Sequence, residues 1–269
     1  MLATPLAQPV LFVSHGAPTL ALDGGDWAAA LAGWSRTLEG VQALLVMSAH
    51  WEAPGPVRVM TSPQPGTLHD FSGFPERLDH LQYPAPGDPA LAGKVLDLLR
   101  EGGVEAQGDA QRPLDHGAWV PLRAAFPEAR IPVVQVSLPA SRTPSQVFHL
   151  GRLLRPLRQE GVLMAGSGGV VHNLRLLDWS GRRGPEDWAL GFEAWMAGRV
   201  ARKDLPALFQ AGREAPAYAR AVPTSEHLDP LYFALGAAGD GEPGTLYEGW
   251  QMGSLSLRTW VWEGGSREA

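Results

Sequence analysis

Apolar and polar positions follow two rhythms along this chain. Short apolar runs of strand length cover residues 9–14, 41–48, 131–137 and 161–167, each bounded by Gly, Pro or Ser, and they predict buried β-strands. Between them, apolar residues recur at helical spacing. The clearest case is 89–101, with Leu91, Val95, Leu98 and Leu99 on one face and proline in the first turn, where an amide N–H is not needed. A second helix is predicted over 145–159, with Val147, Leu150, Leu153, Leu154 and Leu157 facing inward, and a third around 27–34 with Asp26 as its N-cap. The region 185–218, with Trp188, Phe192, Trp195 and Leu205, also reads as helical. Residues 231–235 form a short apolar run, and 253–262 alternate with period two, predicting a closing strand. Long Pro- and Gly-rich loops carry Leu68-His69-Asp70-Phe71 and Asp115-His116-Gly117. Strands alternating with helices predict an α/β fold with the sheet in the middle and ligands beyond the carboxyl ends of the strands.

Composition narrows the chemistry. A chain of 269 residues with 45% hydrophobic content can build one sizeable α/β domain with a large core, or two small domains. It has no apolar run of about 18 residues, so no membrane-spanning helix is predicted. The stretch from Met1 to Gln8 lacks a basic leader and a long apolar core, so a cytoplasmic location is expected. The absence of cysteine excludes disulfides, thiolate metal sites and a cysteine nucleophile, so any metal must be held by nitrogen and oxygen. A net charge of -6 with no basic stripe argues against nucleic acid as a partner. The ten tryptophans read as core or rim residues, with one or two available to line an aromatic pocket.

Histidine placement points to a metal. His15, His50 and His172 each follow a predicted strand, and His227 sits at the mouth of the 231–235 run. Neutral imidazole is the commonest protein ligand for transition metals, and one sheet can gather several strand ends. Each residue has a plainer reading. His15 can cap a loop carbonyl, the Gly168-Gly169 turn before His172 can be a tight strand-to-helix turn, and His227 can be a surface histidine. His15 and His50, read on neighbouring strand ends, shift the balance towards metal. Glu52 and Glu226 are alternative ligands, with Glu52 reading more readily as a surface loop carboxylate. His69 and His116 read as acid/base groups or substrate clamps, whereas His80 and His149 read as structural. No zinc-protease, nucleophile-elbow or dinucleotide-binding motif is present.

Taken in order, Ser14-His15-Gly16-Ala17-Pro18, Ser48-Ala49-His50-Trp51, His69-Asp70-Phe71-Ser72-Gly73-Phe74-Pro75, Tyr83-Pro84-Ala85-Pro86-Gly87, Asp115-His116-Gly117, Gly168 to Asn173 and Gly249 to Ser256 resemble the class III extradiol ring-cleavage dioxygenases. Within them the chain is most similar to the 4,5-DOPA-dioxygenase-like group. The resemblance implies a single catalytic α/β domain over residues 1–269, built around a central mixed sheet flanked by helices. It implies one mononuclear metal ion, non-haem Fe(II) or Zn(II), held by His15, His50 and His227. It makes His172 the acid/base, itself able to approach the metal as a fourth ligand, and His116 a second catalytic histidine that binds substrate or moves protons. The implied partners are a catechol-type aromatic and O2, and the implied product is a muconic semialdehyde. Trp51, Phe71 and Trp119 are candidates for stacking on the ring, or for anchoring loops, and Arg175 is the one candidate for a carboxylate clamp. The rival readings are a zinc hydrolase on the same three histidines and a non-catalytic metal-binding protein.

Overall fold

In the computed structural model of the chain residues 7–264 are described; residues 1–6, most of the stretch read above for a leader, and 265–269 lie outside it. The chain begins with β1 (Val10–Ser14), α1 (Gly25–Ser35), β2 (Ala43–Ala53) and β3 (Val57–Met60). It continues through α2 (Pro89–Glu101), β4 (Ala106–Asp109), α3 (His116–Ala125), β5 (Val133–Pro139), α4 (Pro144–Leu154) and β6 (Val162–Gly168). After α5 (Asp187–Ala201) come the short α6 (Leu205–Phe209), α7 (Ala211–Glu214) and α8 (Tyr218–Ala221), then α9 (Asp229–Ala238). The last elements are β7 (Pro243–Tyr247), β8 (Trp250–Gln251), β9 (Leu255–Ser256) and β10 (Thr259–Trp262).

One eight-stranded sheet runs in the order β4-β3-β5-β2-β6-β1-β10-β7. Its centre, β5-β2-β6-β1, is parallel, while β3 pairs antiparallel with β5 and β10 pairs antiparallel with β1, so the sheet is mixed. The central strands are buried on both faces, which explains why they read as continuous apolar runs. Val10, Phe12, Leu45, Met47, Val134 and Met164 pack on one side with α2, α4 and α9. Leu11, Val13, Leu44, Val46, Val133 and Leu163 pack on the other side with α1 and α3. No helix among the described residues is long and apolar enough to cross a membrane.

The structure adjusts several expectations. Strand β2 runs on to Ala53, so His50 lies within it rather than after it. Helix α4 ends at Leu154 and tightens into 3-10 turns over Arg155–Glu160. Pro156 is the cause, since it lacks the N–H that an α-helix would require there. Asp26 lies in the first turn of α1 but does not cap it; Gly24 occupies the cap position. The run 231–235 is the middle of α9, a helix buried on every side. An apolar surround erases the helical periodicity that would have marked it. Of the expected strand 253–262, only Thr259–Trp262 joins the main sheet.

Candidate metal centre

The parallel strands β2, β6 and β1 lie side by side and deliver their carboxyl ends to one edge. His15 follows β1, His50 stands near the end of β2, and β6 runs out through Ser167 and Gly168 towards His172. Strands β1 and β2 are not neighbours, as β6 separates them. Their histidines still meet, with Nε2 of His50 at 3.1 Å from Nε2 of His15, because β6 ends in small residues. His227 arrives from above on a 3-10 turn, Ser225–His227. Its carbonyl lies so close over β6 that a Cβ on Gly168 would stand 2.0 Å from it, so only glycine permits this approach. Nε2 of His227 is 3.3 Å from Nε2 of His50.

Three imidazoles thus converge through their Nε2 atoms, and hydrogen bonding fixes which nitrogen carries the proton. Ser167 Oγ donates its proton to the Gly117 carbonyl (2.5 Å), so it must accept from His15 Nδ1 at 3.0 Å. Glu226 Oε1 accepts from His227 Nδ1 at 3.0 Å, and Asp70 Oδ2 faces His50 Nδ1 at 3.4 Å. With all three Nδ1 atoms protonated, three Nε2 lone pairs point into one space. Nitrogens about 2.1 Å from a shared ion, at right-angle to tetrahedral spacing, stand about 3.0–3.4 Å apart. The separations of His50 Nε2 from its two neighbours, 3.1 and 3.3 Å, fall in that interval, so these residues fit a metal ion. Burial, with the neighbouring imidazoles adding to it, pushes His15 and His227 well below the usual histidine range, which keeps both neutral as ligands must be.

A second layer orients this set. The Asp70 Oδ1 atom accepts both the backbone N–H and the Nδ1–H of His116, at 3.0 and 2.9 Å. His116 is the first residue of α3 rather than a loop residue, and its sequence neighbour Asp115 caps that helix by accepting from Ala118 N. Asp115 is fully buried and also accepts from Ser48 Oγ (2.6 Å), Arg112 Nη2 (2.7 Å) and Gln135 Nε2 (2.9 Å). It thereby ties α3 to β2 and β5. His172 stacks face to face on His227, with ring centroids 3.5 Å apart and planes 8° from parallel. Burial, the largest cause, and the neighbouring His50 bring its imidazole down to about 4.

A cavity of about 250 Å³ opens over the cluster. His50, Asp70, His116, His172 and His227 form its floor, and Phe71, Phe74, Leu177, Trp179 and Met252 are among the side chains of its outer wall. Of the proposed ring-stacking aromatics, Phe71 reaches the cavity. Trp119 is buried with its Nε1 donating to the Leu68 carbonyl, and Trp51 lies under the Arg112 guanidinium, so both anchor loops. Glu52 accepts from Arg142 and is no ligand. Arg175 is exposed and outside the cavity wall. His69 is held by the Leu81 carbonyl at 2.9 Å, and His80 and His149 stand away from the cluster. Sequence alone gives no wall role to Phe74 and Met252, which lie within two of the motifs, or to Leu177 and Trp179, which no motif marks, and it does not reveal the role of Asp70. The adjacency His69-Asp70 hid a longer partnership, between Asp70 and His116.

Comparison with known proteins places this geometry in context. The family model for the catalytic LigB subunit of aromatic ring-opening dioxygenase matches residues 9–254. The 4,5-DOPA dioxygenase extradiol of Escherichia coli K12 is 38% identical over 255 residues, covering 93% of each chain. The protein of the same name in Beta vulgaris is 37% identical, covering 93% of this chain and 94% of that one. A crystal structure of an uncharacterized protein of Escherichia coli K12 superposes with a TM-score of 0.80 at 33% identity, covering 94% of this chain and 99% of that one.

Proposed function

The chain belongs to the family of the catalytic LigB subunit of aromatic ring-opening dioxygenases, and from that premise we propose that it opens a catechol ring with O2 beside the two hydroxyls. It is an extradiol ring-opening dioxygenase, and this family placement displaces the zinc-hydrolase and binding-protein readings. The finer assignment rests on one observation, the convergence of three unprotonated Nε2 atoms beneath an aromatic-walled cavity. We assign His15, His50 and His227 as ligands of one non-haem ion, Fe(II) in the ring-opening form, in a catalytic domain formed by the whole chain. The all-nitrogen donor set also suits Zn(II). When bound, the ion supplies Lewis acidity towards the catechol and electrons for the activation of oxygen.

The chain's own residues do the rest. His172 is neutral at pH 7, sits over His227 and faces the cavity, which suits it to take a proton from a catechol hydroxyl and return it to the opening ring. Its ring is parallel to that of His227 and offset by a stacking distance, so its lone pairs run beside the shared point of the three Nε2 atoms. That supports an acid/base role over service as a fourth ligand. His116, held by Asp70 through Nδ1, presents Nε2 as a hydrogen-bonding group for substrate or oxygen. Phe71 and the loop around it exclude water from the reacting ring. The expected product is a muconic semialdehyde.

Anaerobic loading with Fe(II), followed by catechol and air, is expected to give oxygen uptake and a yellow product. His172→Ala should abolish uptake while metal content by elemental analysis stays near one per chain. No uptake across a broad catechol panel would count against ring cleavage, and loss of metal in the variant would make His172 a ligand.

A further inference from the structure

We propose that the preferred substrate is a catechol bearing an uncharged, apolar substituent, selected by Phe71, Phe74, Leu177 and Trp179. The inference rests on the ring-cleavage reading above and adds what lies beyond the ring. The cavity has two chemically distinct halves. Its floor carries four imidazoles and one carboxylate, where a catechol's hydroxyls belong. Its outer half is aromatic and aliphatic, and among the described residues no arginine or lysine lines it. Arg175 is exposed and stands outside the wall.

Aromatic rings lead outward from the floor as a continuous path. His116 and Phe71 meet edge-on at 5.5 Å between centroids, Phe71 and Phe74 edge-on at 5.8 Å, and Phe74 and Trp179 at 6.4 Å. At its end Trp179 is 68% exposed and its neighbour Leu174 59%, two large apolar surfaces held in water at the mouth. Exposed apolar surface of this kind at a cavity rim marks a binding surface, and covering it with an apolar group is favourable. A charged substituent finds no partner there. A carboxylate would lose its water and meet no cation. An ammonium would look to Asp70, whose Oδ1 already accepts twice from His116 and whose Oδ2 faces His50. DOPA, for which the relatives are named, carries both charges on its side chain. Among the described residues the outer wall offers neither charge a partner.

The test is a panel that keeps the ring and varies the substituent: 4-phenylcatechol, 4-ethylcatechol, DOPA, 3,4-dihydroxyphenylacetate and dopamine. Each is given to the full-length Fe(II)-loaded protein, with kcat/KM from oxygen uptake and Kd from anaerobic calorimetry. The apolar catechols are expected to exceed each charged one by about 10-fold to 100-fold in kcat/KM, with a parallel order in Kd. Equal or higher kcat/KM for any charged member overturns the selectivity while leaving ring cleavage standing. No uptake with any member overturns ring cleavage and the selectivity with it. Trp179→Arg alters an exposed residue and leaves the core alone. It is expected to raise the ratio of kcat/KM for 3,4-dihydroxyphenylacetate over 4-ethylcatechol at least about fivefold. An unchanged ratio removes Trp179 from the selecting wall.

Discussion

Asp70 receives two hydrogen bonds from His116 on one oxygen and faces His50 with the other. Burial works to raise its carboxyl, yet the hydrogen bonds and charge of His116 outweigh that and hold it at about 2. The ionised carboxylate therefore orients two imidazoles with different tasks, one a proposed ligand and the other a proposed substrate partner. Asp70→Asn keeps the size and one acceptor but removes the charge. It should lower kcat about 10-fold to 100-fold with a smaller effect on KM, read from steady-state oxygen uptake. Ordered motifs made the histidines themselves legible in the sequence, since an imidazole after a buried strand has few packing reasons to be there. What holds them was not legible. Ser167 reaches His15 and Asp70 reaches His116 across long sequence separations, Glu226 beside His227 reads equally as a ligand, and Leu177 and Trp179 sit in a segment with no strand or helix pattern. Nothing in residue order says which carboxylate an imidazole will face.

Elements bring these residues together, and one buried arginine fastens two of them. Arg142 Nε donates to Asp229 Oδ2 at 2.6 Å, while its Nη1 donates to Glu52 and to the Pro139 carbonyl. Glu52 lies two residues after His50 on β2, and Asp229 two residues after His227 at the start of α9. The guanidinium thus clamps together the two segments that carry two proposed ligands. Arg142→Ala leaves the buried Asp229 without its cation and should cost about 3–5 kcal/mol in denaturant unfolding. It should also weaken Zn(II) binding at least about tenfold in a chelator competition, because His50 and His227 lose their fixed spacing. Lower stability with unchanged affinity would make the clamp a matter of folding alone. At this scale the sequence was readable where an element is amphipathic or buried between two layers. It failed for β3 and β4, short strands at one end of the sheet, for α3, whose Pro121 masks a helix, and for α9, which is apolar all round.

For the molecule as a whole, the cluster is a stored instability that a bound metal ion would relieve. Burial, as the first cause, lowers His172 to about 4 from an ordinary 6.5 and acts in the same direction on His15 and His227. Above pH 6.5 both the folded and the unfolded chain keep these groups neutral. As pH falls from 6.5 to 4, the unfolded chain takes up protons that the folded one refuses, so stability drains away across that window. For His172 alone the loss at the acid end is about 3 kcal/mol. Metal-free protein should therefore show a melting temperature that falls steadily from pH 7 to pH 4. Adding Zn(II) at pH 7 should raise it in a concentration-dependent way, by scanning calorimetry. The sheet order adds a consequence in time. Strand β1, whose end carries His15, is flanked by β6 and by β10, and its pairing with β10 joins Val10 to Trp262. During synthesis His15 emerges before His50 and His227, yet the strand beneath it gains its second neighbour only after Thr259–Trp262 has left the ribosome. Loops closed over such a distance form slowly. Nascent chains halted before Thr259 should remain protease-sensitive around β1, and the three-histidine cluster should take shape only once β10 has docked.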